Sequence, residues 1–88
     1  LLLGLSQFAN LRRLKLSNNE IRNLVELSVM TELIEVQLDG NNVIDSVPLT
    51  SLPRVERINL ADNPALQCDG VAKFSSAIQI TLPEHCQS

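Results

Sequence analysis

The chain has 88 residues, of which 44% are hydrophobic and 2% aromatic, and seven basic against ten acidic side chains give a net charge of −3. This length suits one domain with a core of aliphatic side chains, and the acidic balance excludes the broad positive field that nucleic-acid phosphates require. No apolar run approaches the roughly 20 residues that span a bilayer, so neither nucleic acid nor membrane insertion is expected.

The N-terminal leucines belong to a spacing that recurs later in the chain. They are too few, and lack the basic start and cleavage site, for the apolar region of a signal peptide. Apolar positions three apart favour a tight 3₁₀-like or irregular return segment. The apolar residues of the first such segment recur 22 positions later in the second. They are Leu2, Leu5 and Phe8, followed by Leu24, Leu27 and Met30.

Three ungapped segments follow the same period. Residues 11–21, 33–43 and 55–65 read LRRLKLSNNEI, LIEVQLDGNNV and VERINLADNPA and align at a constant offset of 22. Their alternating apolar positions predict a short strand with one buried face, and each coil must pack on the next to close a core. The apolar columns are Leu11, Leu33 and Val55; Leu14, Val36 and Ile58; and Leu16, Leu38 and Leu60.

A column of asparagines ends each strand segment. Asn19, Asn41 and Asn63 stand where the chain turns away from the strand. A side-chain amide there pairs with backbone groups of neighbouring coils that burial would otherwise leave unsatisfied. We therefore interpret this column as a structural asparagine ladder and not as a ligand site.

The repeat changes in character between the third coil and the C-terminus. In the third coil, Ser46 interrupts a leucine column, and we expect Val47 to compensate. Beyond Asn63, residues Ala77, Ile80 and Leu82 still fall in the three strand columns. We predict one or two helical turns from about Asp69. The spacing of Val71 and Phe74 would let these turns cover the open end of the stack as a lid.

The pattern LxxLxLxxNxL resembles the 22-residue leucine-rich repeat class of bacterial internalin-like surface proteins and of the regulatory subunit of protein phosphatase 1. The resemblance implies an α/β solenoid, a right-handed coil of short parallel strands with 3₁₀ or irregular convex segments. It comprises about three full repeats and a cap strand. We expect residues 1–65 to form the repeats, the first incomplete, and residues 66–88 the C-terminal cap, as a single-domain fragment of a longer array.

The cysteine-containing end resembles the C-terminal cap of secreted bacterial repeat proteins. A bridge between Cys68 and Cys86 would place the protein in an oxidising compartment, hence outside the cell or on its surface. Two reduced thiols in a cytoplasmic protein are the alternative. The four-cysteine animal cap begins Cys-x-Cys, whereas this chain has Gly70 at the second of those positions.

The outward strand positions form three rows across the sheet, which we predict to be the concave surface. Alternating charges along the first row allow ion pairs between strands or recognition of a partner. The rows are Arg13, Glu35, Arg57 and Gln79; Lys15, Gln37, Asn59 and Thr81; and Ser17, Asp39, Ala61 and Pro83. The candidate partner-binding residues are Arg13, Lys15, Glu35, Gln37, Asp39, Arg57 and Asn59.

The sequence offers no convincing catalytic or metal constellation. A structural zinc site needs four ligands at tight spacing, and a thiol nucleophile needs an oriented base; His85 beside Cys86, with Cys68 and Asp69, meets neither requirement. The three glycines stand alone, so no phosphate loop is present. We expect no enzyme activity, no cofactor and no metal.

These observations predict a non-catalytic protein–protein interaction module that presents a concave strand surface, from a secreted or cell-surface bacterial protein. The alternatives are an intracellular regulatory scaffold that resembles the phosphatase-binding repeat proteins, or a purely structural C-terminal capping segment. The protein partner is not identified by the repeat. Because the chain starts within a return segment, we also expect self-association through an uncapped N-terminal edge.

Overall fold

A computed structural model describes residues 10–87 as short strands that alternate with 3₁₀ helices. The expected repeat positions Leu2, Leu5 and Phe8 lie outside the described residues. The strands are β1 (Arg13–Lys15), β2 (Glu35–Gln37), β3 (Arg57–Asn59) and β4 (Gln79–Thr81). The 3₁₀ helices are η1 (Val25–Val29), η2 (Val47–Ser51), η3 (Cys68–Lys73) and η4 (Glu84–Cys86).

The strands form one parallel sheet in the order β1-β2-β3-β4. Arg13 pairs with Glu35, Glu35 with Arg57, and Arg57 with Gln79. Each pairing joins residues that are one repeat period apart, so the register of the sheet is that of the sequence repeat. The predicted solenoid of parallel strands with 3₁₀ return segments is confirmed.

The core lies between the sheet and the return segments. Its members come from the predicted apolar columns and from the return segments, and all are aliphatic apart from Met30. They are Leu14, Ile21, Leu24, Leu27, Met30, Leu33, Val36, Leu38, Val43, Leu49, Leu52, Val55, Ile58, Leu60 and Leu66. Burial of an apolar surface of this kind stabilises by roughly 25 cal/mol per Å².

The C-terminal end departs from the column pattern at Ala77. The pattern predicts Ala77 in the first strand column, but this residue is exposed. Its neighbour Ile78 packs against the core instead, because a single methyl group covers too little of the last coil. Val71 and Phe74, the predicted lid residues, are partly buried against the same core.

The asparagine column is hydrogen-bonded between coils. The Asn41 amide nitrogen donates to the carbonyl oxygens of Leu16, Leu38 and Asp39 at 2.9–3.2 Å. Its Oδ1 accepts from the backbone N–H groups of Asn19 and Ile21, both at 3.1 Å. Each amide thus joins its own turn to that of the preceding coil.

Asn63 repeats this arrangement one coil later. Its amide nitrogen donates to Leu38, Leu60 and Ala61 oxygens at 2.9–3.0 Å, and its Oδ1 accepts from the Val43 N–H at 3.0 Å. Asn63 is fully buried, whereas Asn19 is exposed and donates to the carbonyls of Leu16 and Ser17 in its own turn.

A second column, one residue before the asparagines, has left-handed backbone conformation. Asn18, Gly40 and Asp62 have φ of 59°, 71° and 56°. Glycine, asparagine and aspartate are the residues that adopt this region at lowest cost. A Cβ on Gly40 would displace Oδ1 of the exposed Asn18 side chain and lie 3.3 Å from the Asn18 Cα atom, so glycine relieves crowding here as well as suiting the backbone conformation.

Two small residues meet where η2 packs near η3. Ser46 is fully buried in its leucine column, and its hydroxyl has no hydrogen-bond partner among the described residues. A Cβ on Gly70 would lie 3.2 Å from Val47 Cγ2 and 3.5 Å from the Ser46 hydroxyl. The small side chain at position 46 therefore accommodates the cap, while Val47 is partly exposed.

A disulfide joins Cys68 at the start of η3 to Cys86 at the end of η4. The two cysteines are 18 residues apart, with their Cα atoms separated by 5.3 Å. A loop of this length is stabilised by about 3 kcal/mol in the chain-entropy account of disulfides. The bridge therefore links the start of η3 to the end of η4.

We predict that Asn41→Ala lowers the free energy of unfolding by at least about 2 kcal/mol, because buried backbone donors and acceptors lose their partners. Asn19→Ala is the matched control and should cost less than about 1 kcal/mol, since its turn is open to water. Urea denaturation followed by circular dichroism measures both. Equal losses would contradict the inter-coil role of Asn41.

Candidate protein-binding surface

The outward side chains of the four strands form one continuous polar face. In each strand the central residue points to the core and its two neighbours point outward. Neighbouring strands lie about 4.8 Å apart, so residues in the same row contact one another. The face is thus built by the pairing register alone.

Glu35 is the most engaged residue of this face. Its Oε1 lies 3.1 Å from Nη2 and 3.4 Å from Nε of Arg57 on the next strand. Its Oε2 accepts a 2.6 Å hydrogen bond from the Gln37 amide. Those hydrogen bonds, from Gln37 first and then from Arg57, hold the pKa of the Glu35 carboxyl below its usual value. Burial opposes them by raising the pKa, and the charges of Arg57 and Arg13 add smaller lowering effects.

Other outward-facing residues of this surface also form hydrogen bonds within the protein. The Ser17 hydroxyl donates to Asp39 Oδ1 at 2.6 Å, a contact between equivalent positions of adjacent coils. Asn59 Oδ1 accepts from the Ala61 N–H at 3.0 Å and so closes its own turn. Arg57 has a second carboxylate partner, Glu56, at 3.6 Å. These contacts organise the face and leave fewer groups for a partner.

Arg13 and Lys15 differ from the rest of the face. Both are exposed on β1, and within residues 10–87 neither forms an ion pair, although the charge of Arg13 acts on Glu35. Their cationic groups are therefore available to an acidic ligand. From the sequence alone, Arg13 and Arg57 are equally good candidates for binding a partner. In the structure, Arg57 forms ion pairs with Glu35 and Glu56.

The predicted third row is shorter than expected. The strand columns place Pro83 on the outward face, but it is buried and precedes η4 as the chain turns into the cap. Beside it, at the carboxyl ends of β3 and β4, an open cleft of about 780 Å³ is lined by Asp62, Asn63, Pro64, Pro83, Glu84 and His85. No sequence motif indicated this cleft. Its lining comes from two segments, residues 62–64 and 83–85, which are distant in sequence and are brought together by the pairing of β3 with β4.

The residues rejected as a metal or nucleophile site do meet in space. Cys68, His85 and Cys86 have ligand atoms within 4.8 Å of one another. The disulfide occupies both sulfurs, so neither is a thiolate. His85 Nε2 lies 2.9 Å from the carbonyl oxygen of Leu66; since that oxygen only accepts, Nε2 is the donor and carries the proton.

Within the described part of the chain, no helix has both the length and the apolar character to cross a bilayer.

We predict that the Glu35 carboxyl titrates below an unfolded-peptide glutamate, and that Gln37→Ala raises its pKa toward the ordinary value. Because the folded pKa is lowered, the group stabilises the fold above the unfolded pKa, and this contribution is lost as pH falls through the folded value. Carboxyl carbon shifts against pH measure it. No change in Gln37→Ala would show that the hydrogen bond is not responsible; Thr81→Ala, on the far strand, is the control.

No protein-family model matches the sequence, and no curated protein matches it. Among solved structures, the chain is similar to the crystal structure of internalin C2 from Listeria monocytogenes, with a TM-score of 0.75 and 26% sequence identity. The match covers 90% of this chain and 34% of that one, so this chain spans about a third of the length of its structural neighbour. Together with the four-stranded parallel sheet, this match shows that the chain is a leucine-rich repeat solenoid of the 22-residue class, with an internalin-like fold.

Proposed function

We propose that this protein is a non-catalytic protein-interaction module whose strand face contacts the partner. The observation that carries the proposal is the pair of cations on β1, Arg13 and Lys15, which form no ion pair within residues 10–87. They lie beside β2 and β3, whose outward side chains all form internal hydrogen bonds. A face with few mobile side chains loses little conformational entropy on binding. The leucine-rich repeat fold, which is typical of interaction modules, supports this assignment.

We further propose that the module acts outside the cytoplasm, as part of a secreted or cell-surface bacterial protein. The Cys68–Cys86 bridge supports this location, because disulfides persist in oxidising compartments and are rare in the cytosol. Similarity to a Listeria internalin supports a bacterial setting. Self-association through the N-terminal edge, the outer side of β1 with Leu11, Leu14 and Leu16, is a further part of the proposal, because within residues 10–87 β1 pairs with β2 alone.

The partner that best suits this face is a protein with an acidic patch. Arg13 and Lys15 lie two positions apart on β1, with both side chains on the same side of the sheet. Arginine is enriched among residues that dominate binding energy, and a cation without an internal partner need not break an ion pair to bind. The face offers no aromatic anchor, so charge must contribute much of the selectivity.

We predict that a photo-cross-linking residue at Gln37, which pairs in register with Lys15, gives a discrete protein adduct in the extracellular fraction of the natural host. The Arg13→Glu/Lys15→Glu variant should lower the yield by about tenfold or more, because two attractive contacts become repulsive. Intact-mass spectrometry identifies the adduct.

The matched control, Arg22→Glu/Lys73→Glu, makes the same change in net charge at exposed positions outside the strands and should leave the yield unchanged. A cross-linker at Val25, on η1 and 61% exposed, should give no adduct. Equal adducts from Gln37 and Val25 would contradict a strand-face site, and no adduct from either position would favour a purely structural capping segment.

We also predict that Cys68 and Cys86 resist alkylation without a reductant when the protein is freshly isolated from its host under acid quench. After reduction both should react, since both are partly exposed. Intact mass before and after reduction reports the result. Two alkylated thiols without reductant would contradict the exported location and favour an intracellular scaffold, leaving the fold unchanged.

A further inference from the structure

We infer that reduction of the Cys68–Cys86 bridge creates a zinc site in the cap, with both cysteine sulfurs and one ring nitrogen of His85 as ligands. The three ligand atoms already lie within 4.8 Å of one another. They come from two elements that are well separated in sequence, with Cys68 on η3 and the His85–Cys86 pair on η4. The disulfide and the metal are thus alternative ways of joining the same two helices.

The dimensions of the cluster suit a tetrahedral ion. Zinc binds thiolates at about 2.3 Å, so two such sulfurs on one ion lie on the order of 3.8 Å apart. The bonded sulfurs must therefore move apart after reduction to reach this separation, whereas a His85 ring nitrogen already lies within 4.8 Å of both. Two thiolates and an imidazole are a soft-to-borderline donor set that favours zinc over magnesium or calcium.

His85 is prepared for coordination by its hydrogen bond to the protein. Nε2 donates to the carbonyl oxygen of Leu66 at 2.9 Å, which leaves Nδ1 of the neutral ring with a free lone pair. A backbone carbonyl on the second nitrogen is the usual support of a metal-bound histidine, since it fixes the tautomer and the ring orientation. Leu66 is itself buried in the core, and its N–H donates to Asn63.

The cap has contacts that do not depend on the bridge. Val71, Phe74 and Cys86 pack against the core, and the Gln67 N–H donates to the Ile44 carbonyl at 2.8 Å. The Cys86 N–H donates to Pro83. The hydrogen bond between His85 Nε2 and the Leu66 carbonyl, at 2.9 Å, also links η4 to the residues before η3 without either sulfur, so the ligands stay close after the bridge opens.

Solvent reaches the cluster, because His85 is exposed and both cysteines are partly exposed. A dithiol reductant can therefore approach the bridge, and an ion can enter. With three protein ligands, the fourth position is left to water, the arrangement of an open zinc site.

The site forms in two steps, reduction of the bridge and binding of the ion. A dithiol reductant transfers two electrons and two protons to the bridge, its own two thiols are oxidised to a disulfide, and Cys68 and Cys86 become thiols. One Zn²⁺ then binds the two sulfurs and His85, and the two thiol protons are released to solvent. A small-molecule disulfide reverses the change: it takes up the two electrons, and two protons from solvent, to become two thiols, while Cys68 and Cys86 re-form their bridge and the ion is released. Metal binding thus reports the thiol–disulfide balance of the surroundings.

The test is a Co²⁺ titration of the full chain after reduction with a phosphine, which removes the disulfide without adding competing thiols. We expect one equivalent of Co²⁺ to bind, with sulfur-to-metal charge-transfer absorption and tetrahedral d–d bands, and Zn²⁺ to displace it. The oxidised chain should show neither signal. Cys68→Ala/Cys86→Ala should bind no Co²⁺ under either condition.

His85→Gln decides whether the site has three protein ligands. Loss of a supporting group alone weakens metal sites by about 10–100-fold, so loss of this ligand should weaken Co²⁺ binding by more than about tenfold while the oxidised bridge still forms. Glu84→Gln, its sequence neighbour, is the control and should bind like wild type. Equal affinity in His85→Gln, or a reduced chain that binds no Co²⁺, overturns the inference, including where reduction unfolds the cap.

Discussion

The fold depends on satisfying the backbone at the point where each buried strand turns away from the sheet. Parallel pairing fixes the three strand positions of each coil, and the backbone N–H groups of Leu16 and Asn18 still donate to the next coil. Other backbone groups of the turn lie inside the stack and need a side-chain partner. The side-chain amides of Asn41 and Asn63 meet this demand, each joining two coils. An apolar residue there would leave several buried polar groups without partners.

The strand face shows how stability and recognition share one surface. Residues whose partners lie one coil away, such as Glu35 and Arg57 or Ser17 and Asp39, stiffen the sheet. A group already bonded within the protein has less to offer a ligand, because binding must replace the existing contact. Arg13 and Lys15 are therefore set apart from Arg57 by their neighbours and not by their residue type.

Much of the fold was accessible from sequence because a constant repeat period fixes the register once two coils are aligned. The apolar columns and the 3₁₀ return segments followed from spacing. The errors lie at the last coil: Ala77 is exposed and Pro83 is buried, since β4 has cap residues and not another repeat beyond it. The left-handed column of Asn18, Gly40 and Asp62 was not predicted, although these residue types favour that conformation. Spacing in the sequence does not specify side-chain positions. It therefore could not predict which charged residues form ion pairs, or that His85 lies beside both cysteines.

The constant sequence offset of the contacts between coils has an evolutionary consequence. Hydrogen bonds and ion pairs such as Ser17 with Asp39, Glu32 with Arg54, and Glu35 with Arg57 all join equivalent positions of adjacent coils. Duplication or loss of one whole coil keeps equivalent positions adjacent, although the side chains that meet there change, whereas insertion of a few residues within a strand breaks the register of all columns at once. Arrays of this kind can therefore change length in single-coil steps through recombination, with the same disulfide-closed terminus retained on arrays of different size.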